Sequence, residues 1–190
     1  MHYAEFQTPY LAIDLEALTR NIEKMKAFSE ESGASIRPHV KTHKCPEIAR
    51  RQVGAGAIGV TCAKLGEAEV MVNRGILDVL IANQVVPRDK LYRLAQLSRI
   101  ADVKVSVDSA SNVRDISEAA VFASATVGVV IEVDVGMGRC GIREFQQAAA
   151  LVELIEKLPG VKFRGLLGYE GHAVLKTDRE DRLRVCTEAN

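Results

Sequence analysis

Apolar residues at Leu15, Leu18, Ile22, Met25 and Phe28 recur three and four apart. That spacing predicts an amphipathic helix, capped by Asp14 and stopped by Gly33. The short segment YLAID before it, residues 10–14, reads as a strand, and SIRPHV, residues 35–40, reads as another. Pro38 cannot donate to a ladder, so the second strand should have an open neighbour position there or end at it.

A regular rhythm follows. CPEIARRQ predicts a helix with Pro46 near its first position, where a missing N–H costs nothing. Residues 57–63 read as a strand, KLGEAEVMVNRG as a helix closed by Gly75, and residues 78–84 as a strand. PRDKLYRLAQLSRI is helical on the stripe Leu91, Leu94 and Leu97, and residues 102–108 alternate as a strand should. Ser111 to Phe122 predicts a helix, 126–134 a long β-branched strand, 145–158 a helix ended by Pro159 and Gly160, and 161–169 a strand. The final TDREDRLRVCTEAN reads as a helix with Asp178 as its cap.

Strands alternating with helices through short connections predict an α/β fold with a parallel sheet under helices. The β-branched run VGVVIEV, apolar on both faces, supports burial on both sides. The expected architecture is a TIM-barrel-like (β/α)8 domain. Eight units usually need about 250 residues, and about six follow the opening strand and helix, so the barrel is expected to be truncated before closure. Residues 1–33 are taken as the lead-in and 34–190 as the partial barrel. An open sheet complete at 190 residues is the competing reading.

Composition narrows the function classes. The 190 residues are 47% hydrophobic and 26% charged, the balance of a globular domain. Twenty-five basic and 25 acidic residues leave no net field to attract nucleic acid or an anionic membrane. Cys45, Cys62, Cys140 and Cys186 lie too far apart for a metal knuckle or redox pair, which suits reduced thiols and a cytoplasmic location. No export signal or membrane span is expected from the sequence pattern.

The densest polar cluster is RPHVKTHK, residues 37–44, where a strand should pass into a loop. Extended backbone would point His39, Lys41 and His43 to one side. At the carboxyl end of a barrel strand Lys41 is placed to act as a nucleophile toward an aldehyde, and pyridoxal phosphate offers one. The alternatives are an exposed basic edge, or His39 and His43 as two incomplete metal ligands. Asn83, Gln84, Asp108 and Arg139 form a ring of strand-end candidates, with Asp108 read preferentially as a helix cap. The turn DVGMGRCG places Gly136, Gly138 and Gly141 in the spacing GxGxxG, a weak dinucleotide signal, or else presents Arg139 inward. Tyr169 and His172 in LLGYEGHA supply a ring, a phenol and an imidazole near the same mouth. Rim anchoring and an ordinary loop position remain their plain readings.

Together TPYLAIDLEALTRNI, RPHVKTHK, EVDVGMGRCGI and GLLGYEGH resemble the D-threonine aldolase and D-serine dehydratase-like proteins, of the alanine racemase fold type of pyridoxal phosphate enzymes. The resemblance implies that Lys41, not Lys44, holds the cofactor as a Schiff base. It further implies that Arg139 approaches the cofactor's phenolic oxygen and that His39 and Tyr169 line its pocket. Family members are longer: later strands cradle the phosphate, a C-terminal β domain absent here holds a divalent metal, and the proteins are typically homodimers. The implied activity is a lyase that cleaves D-β-hydroxy amino acids to glycine and an aldehyde. The alternatives are a dehydratase giving pyruvate and ammonia, a nicotinamide-dependent oxidoreductase using Gly136 to Gly141, and an inactive cofactor-binding fragment.

Overall fold

A computed structural model describes residues 6–189; the first five residues of the 1–33 lead-in, and Asn190, lie outside the described residues. The elements run α1 (Leu15–Ser32), α2 (Pro46–Gly54), β1 (Val60–Cys62), α3 (Leu65–Asn73), β2 (Asp78–Ile81), α4 (Arg88–Leu97), β3 (Asp102–Val107), α5 (Ala110–Phe122), β4 (Val127–Val133), α6 (Phe145–Lys157), β5 (Val161–Gly168) and α7 (Arg179–Ala189). Asp14 caps α1 by accepting from Ala17 N at 2.9 Å. Gly33 closes it with its N–H on Ser29 O.

The strands form one five-stranded sheet in the order β1-β2-β3-β4-β5, every pair parallel. Two predicted strands are corrected. Residues 10–14 form none: Leu11 is 99% exposed, and alternation without a partner gives the backbone no ladder to join. Residues 35–40 shrink to a bridge between His39 and Thr61, because Pro38 has no N–H to give. That segment still follows β1 through Ile58 N to Ile36 O (3.0 Å), Thr61 N to Pro38 O (2.8 Å) and Val40 N to Thr61 O (2.8 Å).

Register and burial divide the sheet into two faces. Val60, Cys62, Val79, Ile81, Val103, Val105, Val107, Val127, Val129 and Ile131 belong to one buried core, together with residues of α2 to α6. Each such side chain contributes about 1.5–3 kcal/mol on burial, against about 0.5–1 kcal/mol of lost rotamer freedom for Ile or Leu. The alternate positions, including Thr61, Asp78, Leu80, Lys104, Ser106, Val130 and Glu132, point to the opposite face.

At the amino end of that opposite face lies a chain of ion pairs. Arg37 pairs with Asp78, and Lys104 Nζ lies 2.7 Å from both Asp78 Oδ1 and Asp102 Oδ2. Arg164 completes the chain 3.0 Å from Asp102 Oδ2. Gly59 makes room for it: at φ 137 it adopts a backbone that favours glycine, and a Cβ there would overlap the Arg37 guanidinium and the Asp78 backbone oxygen.

Candidate active site

The carboxyl ends of the strands carry the candidate chemistry. Beyond the His39 bridge the chain turns, with Lys44 N donating to Val40 O at 2.7 Å, and Lys41 stands exposed on that turn. His39 Nδ1 accepts from Lys41 N at 3.2 Å and His43 Nδ1 accepts from Cys45 N at 3.0 Å. Each bond leaves the ring proton of the neutral imidazole on Nε2. Burial lowers the pKa of both histidines, and the nearby Lys41 charge adds to the effect at His39. Among the described residues no group of three or more His, Cys, Asp or Glu could hold a metal ion.

The two lysines of the turn differ. Lys44 Nζ lies 3.6 Å from Glu67 Oε1, while Glu67 Oε2 accepts from Ala63 N at 2.8 Å. Lys41 forms no salt bridge among the described residues, so it is the amine of the turn left unpaired. The same carboxylate, added to burial, pushes the Cys62 thiol up to about 12 and leaves it inert.

Across the mouth, the Arg139 guanidinium lies 5.3 Å from the centre of the Tyr169 ring, within cation–π range. Its Nη2 is 3.7 Å from Glu132 Oε1, a carboxylate only 6% exposed. The crevice between Arg139 and Tyr169 encloses about 10 Å³, room for one water at most. A much larger cleft, about 510 Å³, lies between α1 and α2, lined by Leu18, Ile22, Met25, Ile36 and Pro38. Its apolar lining marks an uncovered helix face rather than a reacting centre.

The glycine turn is folded around Asp134. Its Oδ1 accepts from Gly138 N at 2.8 Å and Gly136 N at 3.2 Å, and its Oδ2 from Arg143 Nε at 3.0 Å. The Gly138 N–H is the largest influence holding this carboxyl below its usual range. A Cβ at Gly141 would collide with the backbone of Val133 and Asp134. Helix α6 then starts behind Glu144, which forms a capping box with Gln147. The amides and the helix N-terminus that would cradle a pyrophosphate are thus already taken by carboxylates, which argues against the nicotinamide reading.

The ring of strand-end residues is only partly as expected. Asp108 does not cap α5; Ser109 does, accepting from Asn112 N. Asp108 Oδ2 instead accepts from Gln84 Nε2 at 3.3 Å and Gly141 N at 3.1 Å. His172 Nδ1 is buried with no hydrogen-bond partner among the described residues. The sequence reading missed Glu132 and Glu67. For Glu132 a signal existed: a lone carboxylate inside VGVVIEV is a buried charge that demands partners. Glu67 looked like any solvated helix residue.

Residues 13–189 match the family described as alanine racemase, N-terminal domain. The chain is 44% identical over 186 residues to a D-threonine aldolase of Arthrobacter sp, covering 98% of this chain and 49% of the relative. It is 37% identical over 184 residues to a 3-hydroxy-D-aspartate aldolase of Paracoccus denitrificans (strain Pd 1222), covering 96% and 48%. Among solved structures, D-threonine aldolase from Filomicrobium marinum superposes with a TM-score of 0.95 at 42% identity, covering 98% of this chain and 50% of that one. D-threo-3-hydroxyaspartate dehydratase from Delftia sp. HT23 gives a TM-score of 0.84 at 30% identity, covering 97% and 51%. The chain spans about half the length of the curated relatives it matches. With the parallel sheet, the flanking helices and this match in agreement, the chain belongs to the alanine racemase N-terminal domain family.

Proposed function

We propose that this chain carries the lysine-bearing half of a pyridoxal phosphate-dependent lyase that cleaves D-configured β-hydroxy amino acids to glycine and an aldehyde. The observation that carries the reading is the unpaired amine of Lys41 at the same end of one parallel sheet as the Arg139–Tyr169 pair. Likeness to a D-threonine aldolase and a 3-hydroxy-D-aspartate aldolase supports the choice of reaction.

The donor set fits the cofactor. Lys41 Nζ would hold its aldehyde carbon, Arg139 its phenolic oxygen, and His39 and Tyr169 would line its ring. Pyridoxal phosphate supplies an electron sink for the pair left on the α-carbon when the Cα–Cβ bond breaks. Lys41 Nζ would also be placed to hold and move a proton at the mouth. The Arg139 guanidinium would bring a positive charge to the mouth. The Tyr169 ring limits how far the guanidinium can swing. The divalent metal implied by the resemblance has no ligand set among the described residues, and no step is assigned to it.

On this reading the five strands, with residues 35–40 beside β1, form part of a (β/α)8 barrel, residues 1–33 lead into it and 34–190 build it. The working unit would be a cytoplasmic homodimer, a setting that suits four cysteines held as thiols rather than as disulfides. A dehydratase is the second reading, favoured by 35% identity over 135 residues to a D-threo-3-hydroxyaspartate dehydratase.

Incubation with pyridoxal phosphate, borohydride reduction and peptide mapping test the cofactor assignment. An adduct at Lys41 is expected; labelling confined to Lys44 overturns it. Supplying D-threonine to the full-length protein then separates the reactions, since glycine and aldehyde mark the aldolase, whereas an α-keto acid with ammonia defeats it.

A further inference from the structure

Gln84 follows β2 at the mouth of the sheet, half-buried, and its side chain has unusual company. Nε2 lies 2.7 Å from Glu132 Oε2 and 3.3 Å from Asp108 Oδ2. The nitrogen end must face the pair, because ionised carboxylates only accept. Both carboxylates hold the glycine turn. Glu132 stands at its entrance, with its other oxygen 3.7 Å from the Arg139 guanidinium. Asp108 reaches its exit, accepting from Gly141 N at 3.1 Å. Asn83 fixes the base of this arrangement: its Oδ1 accepts from Gln84 N at 3.0 Å and its Nδ2 donates to Ala63 O at 3.3 Å.

We infer that Gln84 is a positioning residue for Arg139: one carboxamide clamps Glu132 and Asp108, and through them both ends of the 134–141 turn, holding the guanidinium over Tyr169. Sharing one nitrogen keeps the two carboxylates within about 6 Å of each other, a distance at which like charges oppose one another strongly once water is partly excluded. The amide hydrogens offset that repulsion. Without them Glu132 and Asp108 separate, the Gly141 N–H loses the carboxylate oxygen that accepts from it, and Arg139 loses the carboxylate that fixes its Nη2. The size of residue 84 matters less than its being a donor. Gln84→Glu has nearly the same shape but places a third acceptor between two carboxylates, whereas Gln84→Met keeps the bulk and removes the polarity.

The inference deepens the lyase reading, from which it takes the role of Arg139, but the clamp itself is measurable without cofactor. In the full-length protein, alkylation of Cys140 by iodoacetamide and deuterium exchange at the Gly141 amide both report opening of the turn. Gln84→Glu is expected to raise both roughly tenfold or more, as loss of a hydrogen bond to a charged group allows, and Gln84→Met by a smaller factor. Unchanged rates in both variants overturn the clamp. With pyridoxal phosphate bound, the visible absorbance band of Gln84→Glu is expected to move in the same direction as that of Arg139→Lys. An opened turn with an unmoved band overturns the positioning role and leaves Gln84 merely structural. Failure of the wild-type protein to take up the cofactor defeats the lyase reading alone, while the two turn measurements still decide the clamp. Gln84→Met, which adds no charge, supplies the comparison if Gln84→Glu does not fold.

Discussion

Lys104 Nζ meets Asp78 Oδ1 at 2.7 Å on the sheet face turned away from the helix-packed core, with the lysine side chain only 8% exposed. Lys104 shares its charge with Asp102, and Arg37 and Arg164 close the two ends, so each carboxylate has two cations. Two carboxylates against three cations leave one positive charge in excess, and every cation of the chain touches at least one carboxylate.

The two carboxylates should therefore not be equivalent. Asp78→Asn strands Arg37, whose side chain is 16% exposed, and is expected to cost on the order of 3 kcal/mol, since removing one partner leaves an uncompensated charge away from water. Asp102→Asn frees Arg164, which is 35% exposed and can turn to solvent, so about 1 kcal/mol is expected. Urea unfolding of the two variants checks the order, and equal or reversed costs would be evidence against it.

Acid should weaken the same region. Burial pulls the Asp102 carboxyl upward, but the Lys104 hydrogen bond and charge, joined by those of Arg164, outweigh it and leave the group below its ordinary value. A carboxyl depressed in the folded state contributes stability that is present above its unfolded pKa, about 3.9, and is lost as pH falls through the lower folded value. The urea midpoint of the wild-type protein should fall below about pH 4 more steeply than that of Asp102→Asn. Parallel slopes in the two proteins would remove Asp102 from the explanation.

Gly59→Ala tests the space beside Arg37. The positive φ alone should cost about 1–3 kcal/mol, and the Cβ would also displace the Arg37–Asp78 pair. In a double variant with Asp78→Asn the two costs should fall short of their sum, because both remove one interaction. Simple additivity would mean that the Cβ and the ion pair are independent.

For the site, Lys41→Arg is expected to abolish the reducible cofactor adduct and lower lyase turnover by at least about 10²–10⁴-fold, the range typical of a positioned proton-transfer group alone. Lys44→Arg keeps the positive charge beside Glu67 and should retain the adduct. Mapped peptides and product assays read both outcomes, and loss of the adduct in Lys44→Arg would transfer the role to Lys44.

Much of the fold is legible in the sequence. The strand predicted over 102–108 is observed as Asp102–Val107, that over 126–134 as Val127–Val133, and that over 161–169 as Val161–Gly168. These runs are β-branched and buried, so local preference and tertiary environment agree. YLAID and SIRPHV failed because a strand exists only through its neighbour: Leu11 lies out in solvent, and Pro38 removes a donor from the one ladder available. Lys104 and Glu132 were visible as charges inside apolar strands, but their partners depend on register, which pairs Lys104 with Gly128 and leaves space there for its side chain. Asp108 was read as a local cap, yet its bonds run to residues 24 and 33 positions away. Lys41 stood out because amine, imidazole and strand end were adjacent in the sequence itself.

The ion-pair chain from Arg37 to Arg164 lies at the end of the sheet opposite Lys41, Arg139 and Tyr169, and this separation bears on how such a protein can change over time. On the proposed reading, substitutions at the mouth would leave untouched the charges that knit the strands together at the other end. In a framework whose cohesion and proposed reactivity occupy different ends, a change at one end need not disturb the other.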